Sequence, residues 1–559
     1  MKFIGKTFPL FCALIVGTNF AWGASNPFKL WEPEGVPVTI ASGHQLRAVA
    51  CSDGVGGAII VWEDSRDENR RRDIYGQHIS KDGVILWTVN GVPLVTANQS
   101  VNQPAGHNEP AIVGDGFGGA IVTWTDDRYF QGDVFAQSVD LNGVERWQMN
   151  GVPICTACYP SGLCANYKQN PQIASDGSGG AIITWYEIRD GLHFSVWAQR
   201  VKTDGATDWA VNGVPVAYGS FYADFPKISS DGSGTAIIAW QDGRNGNCQV
   251  FAQQLNSNGT AQWTPNGIEV SPAIASRGVP GHSIISDGSG GAIIVWVDGR
   301  LGDPNDSNIY AQRINSNGQI QWQPDGVPVC TRQRHQYAPT ITTDGAGGAI
   351  ITWEDQGASP EGSGQQWIYT QRVSALGELR WTIDGVLIST RHSFGPQIVT
   401  DGRGGGIVVW DSVQIIDPFT HKPSIFAQRF TADGQTLWPT NGFEAYSIEG
   451  GHYGLNPKAI SDGDGGVSIF WTDYRYYVNS DIPYWDIFAQ RLSDKLTGDI
   501  DGNNVLNLTD AILALQTLSG MTPSNVRQNY VISEADANDD TKIGLEEVIY
   551  ILQKVAGVR

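Results

Sequence analysis

The sequence predicts an all-β chain: eight four-stranded blades closed into a β-propeller, with a small α-helical module after them. Three observations predict it. A phrase, in its cleanest form SDGSGGAIIVWVD from Ser286 to Asp298, occurs eight times with variation along the 559 residues. Its turn aspartates recur at steps of 55 to 62 residues, and each full unit carries four β-like segments, which is the length and content of a propeller blade. Finally, the ends of the repeat region are complementary fragments.

Taken in order, the chain opens with Lys2 and Lys6, an apolar run from Phe8 to Val16, and the small residues Ala21, Gly23 and Ala24. That is the layout of a secretory signal, assigned to residues 1–23, with cleavage after Gly23 or Ala24. The apolar run is short for a membrane span, and no later stretch is long and apolar enough for one. The expectation is an exported protein, secreted or associated with the cell surface, and not an integral membrane protein.

Residues 24–492 hold the repeat. The eight turn aspartates are Asp53, Asp115, Asp176, Asp231, Asp287, Asp344, Asp401 and Asp462. A first strand such as Pro171–Ser175 leads into the Asp-Gly turn, where Asp caps and Gly supplies positive φ. The second strand is a β-branched run ending in Trp: Trp62, Trp124, Trp185, Trp240, Trp296, Trp353, Trp410 and Trp471. The third strand carries an aromatic, a small residue and Gln, as in Phe135-Ala136-Gln137. The fourth begins at a second Trp and ends in a Gly-Val-Pro segment, as from Trp322 to Val329. The last unit lacks that fourth segment, and the chain starts with a stray copy of it, Trp31 to Val38. An N-terminal strand that completes the last blade closes the ring and removes the exposed sheet edges of an open array.

Repetition in every unit favours packing roles for the tryptophans, in the wedge between blades, over a single binding site. The acids that follow them (Asp64, Asp126, Glu187, Asp242, Asp298, Asp355, Asp411, Asp473) and the nearby arginines read as blade-to-blade hydrogen bonds or ion pairs. Six histidines precede first strands (His44, His107, His282, His335, His392, His452), and local turn packing explains them more simply than a metal. Individual function belongs in the loops. The loop 474–485 is the candidate contact patch for a glycan or a protein, through Tyr474, Tyr476, Tyr477, Tyr484 and Trp485.

Acidic residues number 57 against 36 Lys plus Arg, a net charge of −21. That argues against nucleic acid as a partner. Six cysteines remain after the signal: Cys51, Cys155, Cys158, Cys164, Cys248 and Cys330. An even number in an exported chain predicts disulfides, with a local staple in the Cys155–Cys164 region.

After Leu492 the composition changes. Residues 493–498 form a linker, and 499–559 hold two matching segments. In the first, Asp499, Asp501, Asn503 and Asp510 stand at positions 1, 3, 5 and 12, with the Val505 carbonyl at 7. In the second, Asp536, Asn538, Asp540 and Glu547 stand there, with the Lys542 carbonyl at 7. Oxygen donors at this spacing are what a hard cation such as calcium requires. Each loop runs into an amphipathic stretch, with Ile512, Leu515 and Leu518 on one face of the first and Ile549, Leu552 and Val555 on one face of the second.

This tail resembles a dockerin, the paired EF-hand-like calcium-loop module of secreted bacterial and archaeal proteins. The resemblance covers about 499–557. It implies calcium as the cofactor and a cohesin-like protein as the partner, with contacts at loop positions 10 and 11 (Leu508, Thr509, Leu545, Glu546) and along the following helices. The ring carries no resemblance to a named family, and no catalytic residue stands out. Two functions follow. The first is a non-enzymatic binding or scaffold protein, its ring contacting a glycan or protein and its tail docking it. The second is a dockerin-bearing polysaccharide-degrading enzyme, a hydrolase or lyase, with the ring as catalytic domain.

Overall fold

The computed structural model describes residues 26–556 apart from 67–71, 97–106, 129–131, 157–167, 190–191, 220, 247, 272–280, 301–305, 357–364, 418–419, 449–454, 476–483, 495–497, 502–505 and 527–541. The ring is an eight-bladed propeller: seven antiparallel four-stranded sheets and one closing sheet. Blade 1 begins at Gln45 and blade 8 ends at Ser493. In the closing sheet, Val36–Thr39 pairs with Asp486–Ser493, placing Val36 opposite Ala489 and Pro37 opposite Phe488. Phe28–Lys29 extends the same edge, Phe28 opposite Ser493. The N-terminal strand therefore completes blade 8, as the sequence predicts.

The repeated residues act as follows. In the Asp-Gly turns, the aspartate accepts two backbone N–H groups; Asp287 Oδ1 takes those of Ser289 and Gly291, each at 2.8 Å. The second strands are buried from their first residue through the tryptophan, and these tryptophans lie between neighbouring sheets. Burying each indole contributes on the order of 3 kcal/mol. The Gly of the Gly-Val-Pro segment lies flat on that indole: at Gly326, with φ of 89°, a Cβ would stand 2.5 Å from Trp296. The third-strand Gln pins the outer strand. In blade 5, Gln312 Oε1 accepts the N–H of Trp322 at 3.0 Å, and Gln312 Nε2 donates to the Gln323 carbonyl at 2.9 Å.

Neighbouring blades are tied by the second tryptophan. Trp322 donates its indole N–H to the Ala375 carbonyl of the next blade at 3.1 Å, and Trp31 donates to the Lys81 carbonyl at 2.8 Å. At blade 8 the chain exits instead of turning, so that carbonyl is replaced. Trp438 and Arg429 of blade 7 both bond the carboxylate of Asp494, the residue after the last strand.

Two expectations are corrected. Most strand-end acids bond the tryptophan and arginine of their own blade; Asp411, which accepts the Asn456 N–H of blade 8 at 3.0 Å, and Glu187, against Cys155 of blade 2, reach across blades as expected. Trp296 Nε1 donates to Asp298 Oδ2 at 2.8 Å, and Arg300 Nη2 reaches both Asp298 Oδ2 (2.6 Å) and the Asp325 carbonyl of the same blade. The reason is reach: the carboxylate two residues on points to the same side of the strand as the indole. Asp411 is out of this register, standing next to Trp410. The disulfide expectation also fails where it can be seen: no disulfide joins Cys51, Cys155, Cys248 and Cys330. Cys155 lies on the outer strand of blade 2, its sulfur against Arg189 Nη2 (3.4 Å) and Glu187 Oε1 (3.8 Å) of blade 3. It packs on the strand-end ion cluster of the next blade. Cys158 and Cys164 fall outside the described residues.

The C-terminal module has two helices, α1 (Leu508–Leu518) and α2 (Leu545–Val555). They pack on each other through Ala511, Leu513, Ala514, Val548, Tyr550 and Ile551, with Ile500 and Ile543 closing the small core. Among the described residues no helix is long and apolar enough to cross a membrane; residues 1–23, where a signal is expected, lie outside them.

Candidate functional site

The first loop of the C-terminal module brings its acids together. One carboxylate oxygen from each of Asp499, Asp501 and Asp510 lies within 4.8 Å of the others, close enough to coordinate one metal ion. Asp499 and Asp510 are fully buried. Asp510 Oδ1 accepts the Ile500 N–H at 2.9 Å, and its Oδ2 accepts the Asn507 N–H at 3.0 Å, so it staples the loop to the start of α1. Asn507 caps the helix by accepting the Thr509 N–H at 2.7 Å. Three hard, anionic oxygen donors in one cage suit calcium chemistry. Such crowding of carboxylates is costly without a cation.

In the second loop, Glu547 is fully buried and accepts the Gly544 N–H at 2.5 Å. This repeats the bond from Asn507 to Asp510 at an offset of 37 residues. Lys542 is described and starts the approach to α2. Asn503, Val505, Asp536, Asn538 and Asp540 lie outside the described residues.

The helix faces differ from what amphipathic periodicity suggests at first sight. Leu508, Ile512, Leu515 and Leu518 of α1 are all exposed, as are Leu545, Ile549, Leu552 and Val555 of α2, each between 43% and 57%. These two sets also match at an offset of 37 residues. The smaller faces, with Ala511 and Ala514 opposite Val548 and Ile551, make the core instead. The module therefore exposes two apolar stripes, one on each helix.

In the ring, the aromatic loop resolves differently. Tyr474 is 5% exposed and belongs to the core between blades 7 and 8. Trp485 packs edge-on against it, the ring centroids 5.1 Å apart. Tyr484 is half-exposed and lies edge-to-face with His44. Tyr476 and Tyr477 fall outside the described residues.

The blade ends hold further titratable groups that repetition did not reveal. In blades 6 and 7 the strand-end cluster lacks its usual arginine four residues after the tryptophan. Arg332 stacks on Tyr369 and Arg391 on Phe426 in its stead. The indole N–H groups of Trp353 and Trp410 have no partner among the described residues. Burial pushes Glu354 up to about 7, although one of its oxygens accepts the Gly395 N–H at 2.7 Å. Burial likewise pushes Asp355 and Asp411 up to about 6. In blade 8, Asp486 pairs in register with Asp473, and burial together with that neighbouring charge lifts it to about 7.

The histidines do not gather. His107 is buried between Asp126 (3.3 Å) and Asp73 (3.7 Å). Burial opposes its charge, but the hydrogen bonds and charges of these two acids outweigh it and raise it to about 9. His282 is pushed down to about 4 by burial and by the nearby Lys227. Among the described residues the Asp499–Asp501–Asp510 trio is the one candidate metal cluster.

No protein-family model and no curated protein matches this chain. Solved structures with a similar arrangement include an alpha-L-arabinanase from Penicillium chrysogenum, at 11% identity and a TM-score of 0.33, covering 65% of this chain and 96% of that one. Polysaccharide lyase Uly1 aligns at 10% identity and 0.36, covering 72% and 93%. A protein of unknown function from Dyadobacter fermentans aligns at 11% and 0.31, covering 59% and 95%. At these values the likeness carries no argument about activity.

Proposed function

We propose that this is an exported, calcium-binding, non-enzymatic adaptor: the tail docks on a cohesin-like module, and the ring contacts a glycan or an extracellular protein. The observation that carries the reading is the pair of matched apolar stripes on α1 and α2, each directly following a calcium-type loop. Calcium would be held by Asp499, Asp501 and Asp510, with Asn503 and the Val505 carbonyl completing the first loop. Asp536, Asn538, Asp540, Glu547 and the Lys542 carbonyl would hold the second. When bound, the ion neutralises the carboxylates and lets each loop fix the angle at which its helix starts. The stripes are then presented as rigid faces.

The test is a binding titration of the full chain against a panel of cohesin modules, with calcium and with chelator. Binding that needs calcium and is lost in the double variant Ile512→Asp, Ile549→Asp supports docking through the stripes. Failure of every module to bind the calcium-loaded protein overturns it.

A second reading, a polysaccharide-degrading ring, draws on Glu354. A carboxyl held near pH 7 by burial is what a general acid in sugar hydrolysis needs. Release of reducing sugar by the wild type and its loss in Glu354→Gln would establish this reading and displace the non-enzymatic one.

A further inference from the structure

The inner strands of all eight blades surround the central channel. In each, one residue stands opposite the position just before the second-strand tryptophan. Six of these residues are neutral: Val49, Ala111, Gln172, Ser283, Thr340 and Gln397. The other two are lysines, Lys227 opposite Ala239 in blade 4 and Lys458 opposite Phe470 in blade 8. Blades 4 and 8 are four steps apart in a ring of eight. The two lysines therefore sit at one level, on diametrically opposed sides of the channel.

Both amines are short of partners. Lys227 Nζ donates one hydrogen bond, to Gln172 Oε1 of the adjacent blade at 3.2 Å. Lys458 makes no side-chain hydrogen bond, and neither lysine forms an ion pair, among the described residues. Burial lowers the pKa of each, and the charge of Lys458 lowers that of Lys227 further. His282, the other basic group beside Lys227, is neutral at ordinary pH. Two half-buried like charges at one level of the channel, with no ion pair among the described residues, are costly, and they are set in a chain whose net charge is −21. Hydrogen bonds to an anion with two or more oxygens would satisfy both amines at once.

We propose that the channel of the propeller is an anion site, in which Lys227 and Lys458 grip a small oxyanion from opposite sides, with the Gln172 and Gln397 amides at the same level. The ligand class is a carboxylate, sulfate or phosphate. It enters as a free ion or as the acid group of a sugar.

The experiment uses the full, calcium-loaded chain. Sulfate and galacturonate are titrated calorimetrically at constant ionic strength against chloride, and the unfolding temperature is followed in parallel. Wild type is expected to bind one of the two probes and to unfold at higher temperature with it. Lys227→Met and Lys458→Met should each weaken binding about tenfold or more, the loss of a hydrogen bond to a charged group. Lys554→Met, on α2, should leave binding unchanged. Without the anion, Lys458→Met should unfold no earlier than wild type, because a half-buried charge with no ion pair among the described residues has been removed. Response to sulfate alone assigns the site to free ions; response to galacturonate assigns it to acidic sugars. A wild type that responds to neither probe beyond chloride, or a Lys227→Met, Lys458→Met double variant that responds like wild type, overturns the proposal.

Discussion

Trp438 donates its indole N–H to the carboxylate of Asp494, so the residue at which the chain leaves the ring also latches the last two blades. Everywhere else that indole meets a backbone carbonyl of the next blade's turn. Arg429 binds the same carboxylate. Asp494→Ala should therefore loosen the seam selectively, costing about 2–4 kcal/mol for a charged group with two donors. Thermal unfolding and proteolysis near 494 would show it. Asp298→Ala in the middle of the ring should leave proteolysis at the seam unchanged.

The strand-end clusters allow an internal comparison. Trp296→Phe removes a 2.8 Å hydrogen bond to Asp298, whereas the indole N–H of Trp353 has no partner among the described residues. The first substitution should cost about 2 kcal/mol more than Trp353→Phe. Denaturant midpoints of the two variants measure the difference. Equal midpoints would remove the polar role assigned to the repeated acids.

Stability should fall as pH rises from about 5 to 9. Glu354 and Asp486, raised to about 7, and Asp355 and Asp411, raised to about 6, are favoured in their protonated forms by the fold. Their stabilising contribution is complete below the ordinary carboxylate range and is lost as pH climbs through 6 and 7. His107, raised to about 9, contributes fully below its ordinary value of 6.5 and loses that contribution as pH rises through 9. Glu354→Gln should be more stable than wild type at pH 8, on the order of 3 kcal/mol, with little difference at pH 4. His107→Gln should flatten the decline between pH 7 and 9. Unfolding midpoints across pH check both.

Calcium should order the tail. Chelation is expected to reduce helical circular dichroism and to lower the unfolding temperature of the C-terminal module while the ring's transition stays in place. Asp510→Ala should mimic chelation at the first loop, because it removes a candidate ligand together with the bonds to Ile500 and Asn507. Calorimetric titration should then show one calcium site fewer than wild type.

The ring was legible because each structural need recurs eight times. A single Asp-Gly turn is weak evidence, but eight in register, with the missing outer strand supplied around Trp31, leave little freedom of architecture. The cluster of Asp499, Asp501 and Asp510 was legible because ligand spacing follows coordination geometry. The orientation of α1 and α2 was less so. Ala511 and Ala514 look unremarkable in sequence, yet their small size lets the helices approach, leaving Ile512 and Leu515 outside. Tyr474 looked like a contact residue because it sits among other aromatics, and the structure spends it on packing between blades. Cys155 belongs to an ion cluster that forms only once Glu187 and Arg189 are folded beside it. Lys227 and Lys458 gave no signal in sequence, since one amine in blade 4 and one in blade 8 become neighbours only after the circle closes.

That closure sets a timetable for folding. The backbone N–H of Trp31 meets the side chain of Gln490, a partner 459 residues further along the chain. Contacts of such separation pay loop-closure entropy late and form slowly. During synthesis or export, blades 1 to 7 can each finish from their own strands as they emerge. The first segment to appear waits until the last blade arrives, with its edge unsatisfied throughout. The interval between emergence of the N-terminal strand and capture by blade 8 is therefore when the molecule is most exposed to mispairing with another copy of itself.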